Sequence, residues 1–152
     1  MKQKFSFTMK SSTAKLASLS QFIEKILLQL KVNKAIHDDI IISIDEIATN
    51  IILHAYHRNA EKDINIVVTI TDDKFQVDFF HTGDIFDPDA IPQPNLSPHL
   101  ADRKKGGLGL YIVNTFMDDI KYTFKSKLQN KNIITITKYL QGGKIGIKNK
   151  KT

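Results

Sequence analysis

Cysteine is absent from the 152-residue chain, which removes disulfides and thiolate metal sites and fits a reducing compartment. No stretch approaches the ~18 uninterrupted apolar residues of a membrane span. The N-terminal Met1-Lys-Gln-Lys-Phe-Ser-Phe7 leads into no apolar run of signal-peptide length. A soluble, cytoplasmic protein with no membrane partner is therefore expected. Acidic residues are missing from Lys121 onward, where Lys121, Lys125, Lys127, Lys131, Lys138, Lys144, Lys148, Lys150 and Lys151 stand unopposed, and the net charge is +6. This excess suits nucleic acid, an anionic surface or an acidic protein, and equally a solvated strand face followed by a frayed tail. Without interleaved aromatics or a reading motif, nucleic acid is not the expected partner.

At 41% hydrophobic, a chain of this length buries one full core without cross-links. One domain over residues 1–140 and a basic, flexible tail over 141–152 are expected. Residues 4–9 alternate as a short strand. Ser11, Ser12 and Thr13 then offer caps for an amphipathic helix over 13–31, whose apolar stripe is Leu16, Leu19, Phe22, Ile23, Ile26, Leu27 and Leu30. Asn33 opens a second helix over about 34–57, apolar around most of its circumference, so its few polar residues call for an explanation. Residues 64–70 and 75–80 form a β-hairpin. All four prolines fall in the aperiodic stretch 82–106, whose length suggests a lid. A helix over 107–117 and strands over 120–124 and 133–139, joined by a turn over 127–132, complete the order β, α, α, β, β, lid, α, β, β. Such an order makes an α/β two-layer sandwich, with helices on one face of a mixed, mainly antiparallel sheet.

Three segments carry chemistry. In Asp45-Glu46-Ile-Ala-Thr-Asn50, Glu46 and Asn50 are one helical step apart and share a face. A carboxylate beside a carboxamide orients a nucleophile and ligates Mg2+, which takes few protein oxygens plus phosphate and water; a solvated stripe explains the same spacing. Lys104-Lys105-Gly106-Gly107-Leu108-Gly109-Leu110 opens a helix, where glycine backbone donors approach phosphate and Arg103, Lys104 or Lys105 supplies countercharge; a flexible loop with a tight helix start is the alternative. Phe79-Phe-His-Thr-Gly-Asp-Ile-Phe-Asp-Pro88 runs a strand into a glycine turn that admits a planar ligand, or serves only as a turn. The histidines His37, His54, His57, His81 and His99 lack zinc spacing, and no nucleophilic triad stands out.

In this order and at these distances, the segments resemble the N, G1 and G2 boxes of the gyrase, histidine-kinase and MutL ATPases, the Bergerat fold. Within that superfamily they look most like the anti-sigma-factor serine-protein kinases of bacterial partner-switching systems. The resemblance covers nearly the whole chain and rests on Asp45, Glu46, Asn50, His54, Ala55 and Tyr56, on Phe86-Asp87-Pro88, and on Gly106 to Leu110. It implies ATP and Mg2+ as cofactors, Glu46 as general base or water-positioning carboxylate and Asn50 as the magnesium ligand. It places Gly83 beneath the adenine and gives Lys105, Gly106, Gly107, Leu108 and Gly109 to the phosphates. It implies a sigma factor and an anti-sigma-factor antagonist protein as partners, and a homodimer. In such a family an aspartate stands at position 81 and accepts from the adenine amino group, and Ile85 stands where glycine or proline is usual. A neutral imidazole at His81 accepts through one nitrogen, but its reach differs from a carboxylate's and its other nitrogen donates. Loss of a charge-assisted hydrogen bond of ~1.5–3 kcal/mol would weaken adenine binding roughly 10- to 100-fold. A binding module of the same fold, without phosphoryl transfer, is the alternative.

Overall fold

A computed structural model describes residues 2–86, 113–125 and 130–140. Strand β1 (Gln3–Lys10) leads through a 3-10 turn (Thr13–Lys15) into helix α1 (Leu16–Leu30). The Ser12 hydroxyl accepts from the Ala14 amide at 3.2 Å, so the expected cap serves the 3-10 turn and α1 begins three residues later than the sequence suggests. Lys31 ends α1 in the left-handed region at φ 56°. Asn33 then caps helix α2 (Lys34–Asn50), its carboxamide oxygen accepting from Ile36 at 2.9 Å.

The second helix departs from expectation at its end. It stops being α-helical at Asn50 and continues as a π-helical turn over Ile51–Ala55, closed by the Tyr56 amide donating to the Ile51 carbonyl at 3.0 Å. His57 and Arg58, at φ 49° and 67°, take the chain away. Strands β2 (Asp63–Ile70) and β3 (Lys74–His81) make the hairpin, and β4 (Asp119–Thr123) and β5 (Asn132–Tyr139) follow. Residues 113–116 are helical and the helix has ended by Met117; residues 107–112 of the expected helix, residues 87–106 of the expected lid, and the tail over 141–152 lie outside the described residues.

The sheet order is β1-β2-β3-β5-β4, and every described ladder is antiparallel. Alternation decides its faces. Ile64, Ile66, Val68 and Ile70 of β2, Phe75, Val77 and Phe79 of β3, and Ile134 and Ile136 of β5 form one core with Leu19, Ile23, Leu27, Ile40, Ile44 and Ile47 of the helices. Each large side chain so enclosed contributes roughly 1.5–3 kcal/mol. The parity that buries Phe79 also turns His81 inward and Asp78 outward, where Asp78 accepts from the Thr135 hydroxyl.

Lys138 corrects the picture of the C-terminal lysines as a solvated face. It follows Ile134 and Ile136 on the inward side, is 7% exposed, and donates to Asp39 of α2 at 3.1 Å and to the Phe116 carbonyl. A buried ammonium needs such partners, and here they tie β5 to α2 and to the end of the helical residues 113–116. Among the described residues, no helix is long and apolar enough to cross a membrane.

Candidate functional site

Glu46 and Asn50 lie on α2 as the sequence places them, but in different surroundings. Glu46 is half-buried, and loss of solvent, followed by the neighbouring charge of Asp45, raises its carboxyl pKa above the usual value. Burial alone pushes Asp45 in the same direction. Asn50 is 1% exposed, and its Nδ2 has no hydrogen-bond partner among the described residues. A buried amide left unpaired costs ~1–3 kcal/mol, so a solvated polar stripe does not account for this residue. Turning the carboxamide over exchanges oxygen for nitrogen, so the unpartnered position suits a cation as well as a hydrogen-bond acceptor.

One step further along, His54 Nε2 is also buried with no partner among the described residues. Desolvation, followed by the charge of His57, lowers the His54 pKa, which keeps the ring neutral. In a continued α-helix each four-residue step drifts by about 40°. The wider π-helical turn slows that rotation and holds His54 nearer the stripe of Glu46 and Asn50. His54 belongs to the run that carries the sequence resemblance, at a four-residue step from Asn50, but the sequence gives it no role of its own in the site.

The glycine turn after β3 docks on this turn. A side chain on Gly83 would meet the Ala55 carbonyl oxygen at 2.5 Å and the Tyr56 ring at 2.8 Å, so packing within the protein accounts for the glycine. The Asp84 amide donates to the same Ala55 carbonyl at 2.8 Å, and the Asp84 carboxylate meets His57 Nε2 at 2.7 Å. The Tyr56 hydroxyl donates to the Asp63 carbonyl at 2.7 Å and accepts from the Thr82 amide at 2.8 Å.

His81 is 3% exposed, and its Nδ1 accepts from the Gly83 amide at 3.2 Å. Desolvation lowers its pKa to about 4, so the ring is neutral at neutral pH. Tyr56 meets it edge-on at 5.9 Å between ring centres, and Phe86 stacks on it at 6.4 Å while lying 5.8 Å from His54. Phe86 thus connects the histidine of β3 with the histidine that follows Asn50. Asn132, directly opposite His81 in the β3–β5 register, donates from Nδ2 to the Gly83 carbonyl at 3.2 Å and accepts the Lys125 amide at 2.8 Å. The sequence placed Asn132 only in a turn; its role depends on strand register.

The ring of His81 borders a cavity of about 10 Å³ shared with Ile85, Phe86, Tyr122, Phe124 and Asn132. A planar ligand would not fit a cavity of that size without movement of its lining side chains, of which Ile85 is 53% exposed. Larger depressions of about 460 Å³ near Leu30 and Ile70 and about 480 Å³ on the outer sheet face include none of Glu46, Asn50 and His81. Lys105, Gly106, Gly107, Leu108 and Gly109 lie outside the described residues. Among the described residues no group of three or more histidine or acidic side chains is arranged to hold a metal. A cation at Asn50 would therefore draw most of its ligands from phosphate and water.

Comparison with known proteins shows the family and the fold. The histidine kinase-like ATPase domain matches residues 9–138. The chain is 33% identical over 114 residues to the serine-protein kinase RsbW of Bacillus subtilis, and 32% identical over 112 residues to that of Bacillus velezensis. Each match covers 71% of this chain and 68% of the relative. Two solved structures share the fold. One holds the RsbU and RsbW domains of a Mycobacterium tuberculosis protein, with TM-score 0.64 and 12% identity over 91% of this chain and 32% of the other. The other is the SiaB–SiaC complex of Pseudomonas aeruginosa, with TM-score 0.61 and 11% identity over 89% of this chain and 88% of the other.

Proposed function

We propose, from the premise that this chain belongs to the histidine kinase-like ATPase family and within it to the anti-sigma-factor serine-protein kinases, that it transfers a phosphoryl group from magnesium-bound ATP to a serine of a small antagonist protein. In this reading it binds a sigma factor when that antagonist is unavailable, acts as a homodimer, and regulates transcription in a stress response. The observation that carries the reading is the pairing of a buried, unpartnered carboxamide at Asn50 with a carboxylate of raised pKa one helical step away at Glu46.

When bound, the magnesium nucleotide supplies the phosphoryl group. Asn50 would offer its carboxamide to the cation, and Lys105, Gly106, Gly107, Leu108 and Gly109 would hold the phosphates. Gly83 allows the turn before Phe86 to seat against Ala55, which would hold His81 beside the base. Glu46 takes the proton of the serine hydroxyl; burial, which makes it a stronger base than a solvated carboxylate, fits it for that transfer.

The test is incubation of the purified chain and a candidate antagonist with Mg-ATP, followed by mass spectrometry for phosphoserine. Phosphoserine is expected, with a loss of 10²-fold or more in Glu46→Gln. Its absence with a full panel of antagonists, while nucleotide still binds, favours the second reading, a module that sequesters a partner without phosphoryl transfer. The observation behind that alternative is His81, whose buried neutral ring replaces a charged acceptor.

A further inference from the structure

We infer that His81 presents a hydrogen-bond donor to the ligand's base edge, so that the pocket admits 6-oxopurine nucleotides at least as readily as adenine nucleotides. The inference rests on the nucleotide-binding reading of the site and specifies its ligand class.

The argument starts from the Gly83 amide, which can only donate. It lies 3.2 Å from His81 Nδ1, so Nδ1 must carry the lone pair. A neutral imidazole has a single ring proton, and that proton is therefore on Nε2. At 3% exposure the ring sits where a charged form is disfavoured. No rearrangement of the turn readily frees Nδ1. Gly83 is pressed against the Ala55 carbonyl, Asp84 donates to that carbonyl at 2.8 Å, and Asn132 donates to the Gly83 carbonyl at 3.2 Å. The turn is held from the π-helical side and from β5, and the tautomer is held with it.

An aspartate at position 81 would offer acceptors only, which suit the 6-amino donor of adenine. The Nε2–H of His81, turned to a bound base, would meet such an amino group as donor against donor, whereas the 6-oxo group of hypoxanthine or guanine would accept from it. Asp78 does not restore an acceptor, because it points to the opposite sheet face and is engaged by Thr135. Asp84 is engaged by His57 at the surface. A mismatched polar contact inside a buried site discriminates more strongly than a missing apolar one, so one residue suffices to change which base is preferred.

Two measurements on the full chain test this. Long-range 1H–15N correlation spectra of histidine-labelled protein report the His81 tautomer without any ligand; the Nε2–H form is expected, and an Nδ1–H form overturns the inference. Competition calorimetry with Mg-ATP and Mg-ITP then reads the base. ITP is expected to bind as tightly as ATP or more tightly, and His81→Asp to shift the ATP-to-ITP preference by tenfold or more toward ATP. ATP binding tenfold tighter than ITP in the natural chain overturns the inference while leaving the proposed kinase function standing. Failure of both nucleotides to bind at millimolar concentration overturns both. If His81→Asp does not fold, the spectra and the ATP-to-ITP ratio of the natural chain still decide.

Discussion

Acidification should destabilise this fold through His81 in a narrow window. The unfolded chain binds a proton on this histidine near pH 6.5, whereas burial delays protonation in the folded state to about pH 4. The unfolded state therefore holds more protons between those values, and stability falls as pH falls through them. A separation of roughly 2.5 units amounts to about 3.4 kcal/mol once pH is below 4, of which about 2 kcal/mol is lost by pH 5. The Gly83 amide reinforces the effect, since an imidazolium has no lone pair at Nδ1 with which to accept it. The assay is urea unfolding at pH 7 and pH 5 for the natural chain and for His81→Asn, which is uncharged at both. Because His37, His54, His57 and the carboxylates are common to both proteins, their contributions cancel in the difference. The natural chain should lose about 2 kcal/mol more than the variant on going to pH 5. Equal losses in the two proteins would refute the claim that His81 is buried and neutral.

Two further substitutions probe the site from opposite directions. Gly83→Ala forces a methyl group to within 2.5 Å of the Ala55 carbonyl oxygen, a backbone atom with little room to retreat; a loss of about 1–3 kcal/mol is expected in denaturant unfolding, and an unchanged midpoint would contradict the packing account. Asn50→Leu replaces an unpaired buried amide with an apolar group of similar size, so thermal unfolding should show stability unchanged or raised by up to ~1–2 kcal/mol. A loss of several kcal/mol would mean that the carboxamide serves the fold rather than a ligand.

The parts of this site legible in the sequence are those set by short periods. The four-residue step from Glu46 to Asn50 survives because α2 is regular to Asn50, and period two along β3 carries Phe75, Val77 and Phe79 inward, and His81 with them. The same parity along β5 predicts an inward Lys138, yet its charge argued for solvent; Asp39 and the Phe116 carbonyl, distant in sequence, resolve that conflict. The π-helical turn left no sequence signal, because five residues are too few to separate one helical period from another. Asn132 and Gly83 depend on non-local approach: one through strand register with His81, the other through contact with Ala55. A local reading registers both as turn residues and nothing more.

The central claim, that α2 and β3 build a magnesium-nucleotide site around Asn50, is tested most directly by calorimetry of Mg-ATP with the natural chain and with Asn50→Leu. The account predicts saturable binding that weakens at least tenfold when EDTA removes the cation or when Asn50 is replaced. Absence of binding at millimolar Mg-ATP, or an affinity indifferent to both EDTA and Asn50→Leu, would contradict it.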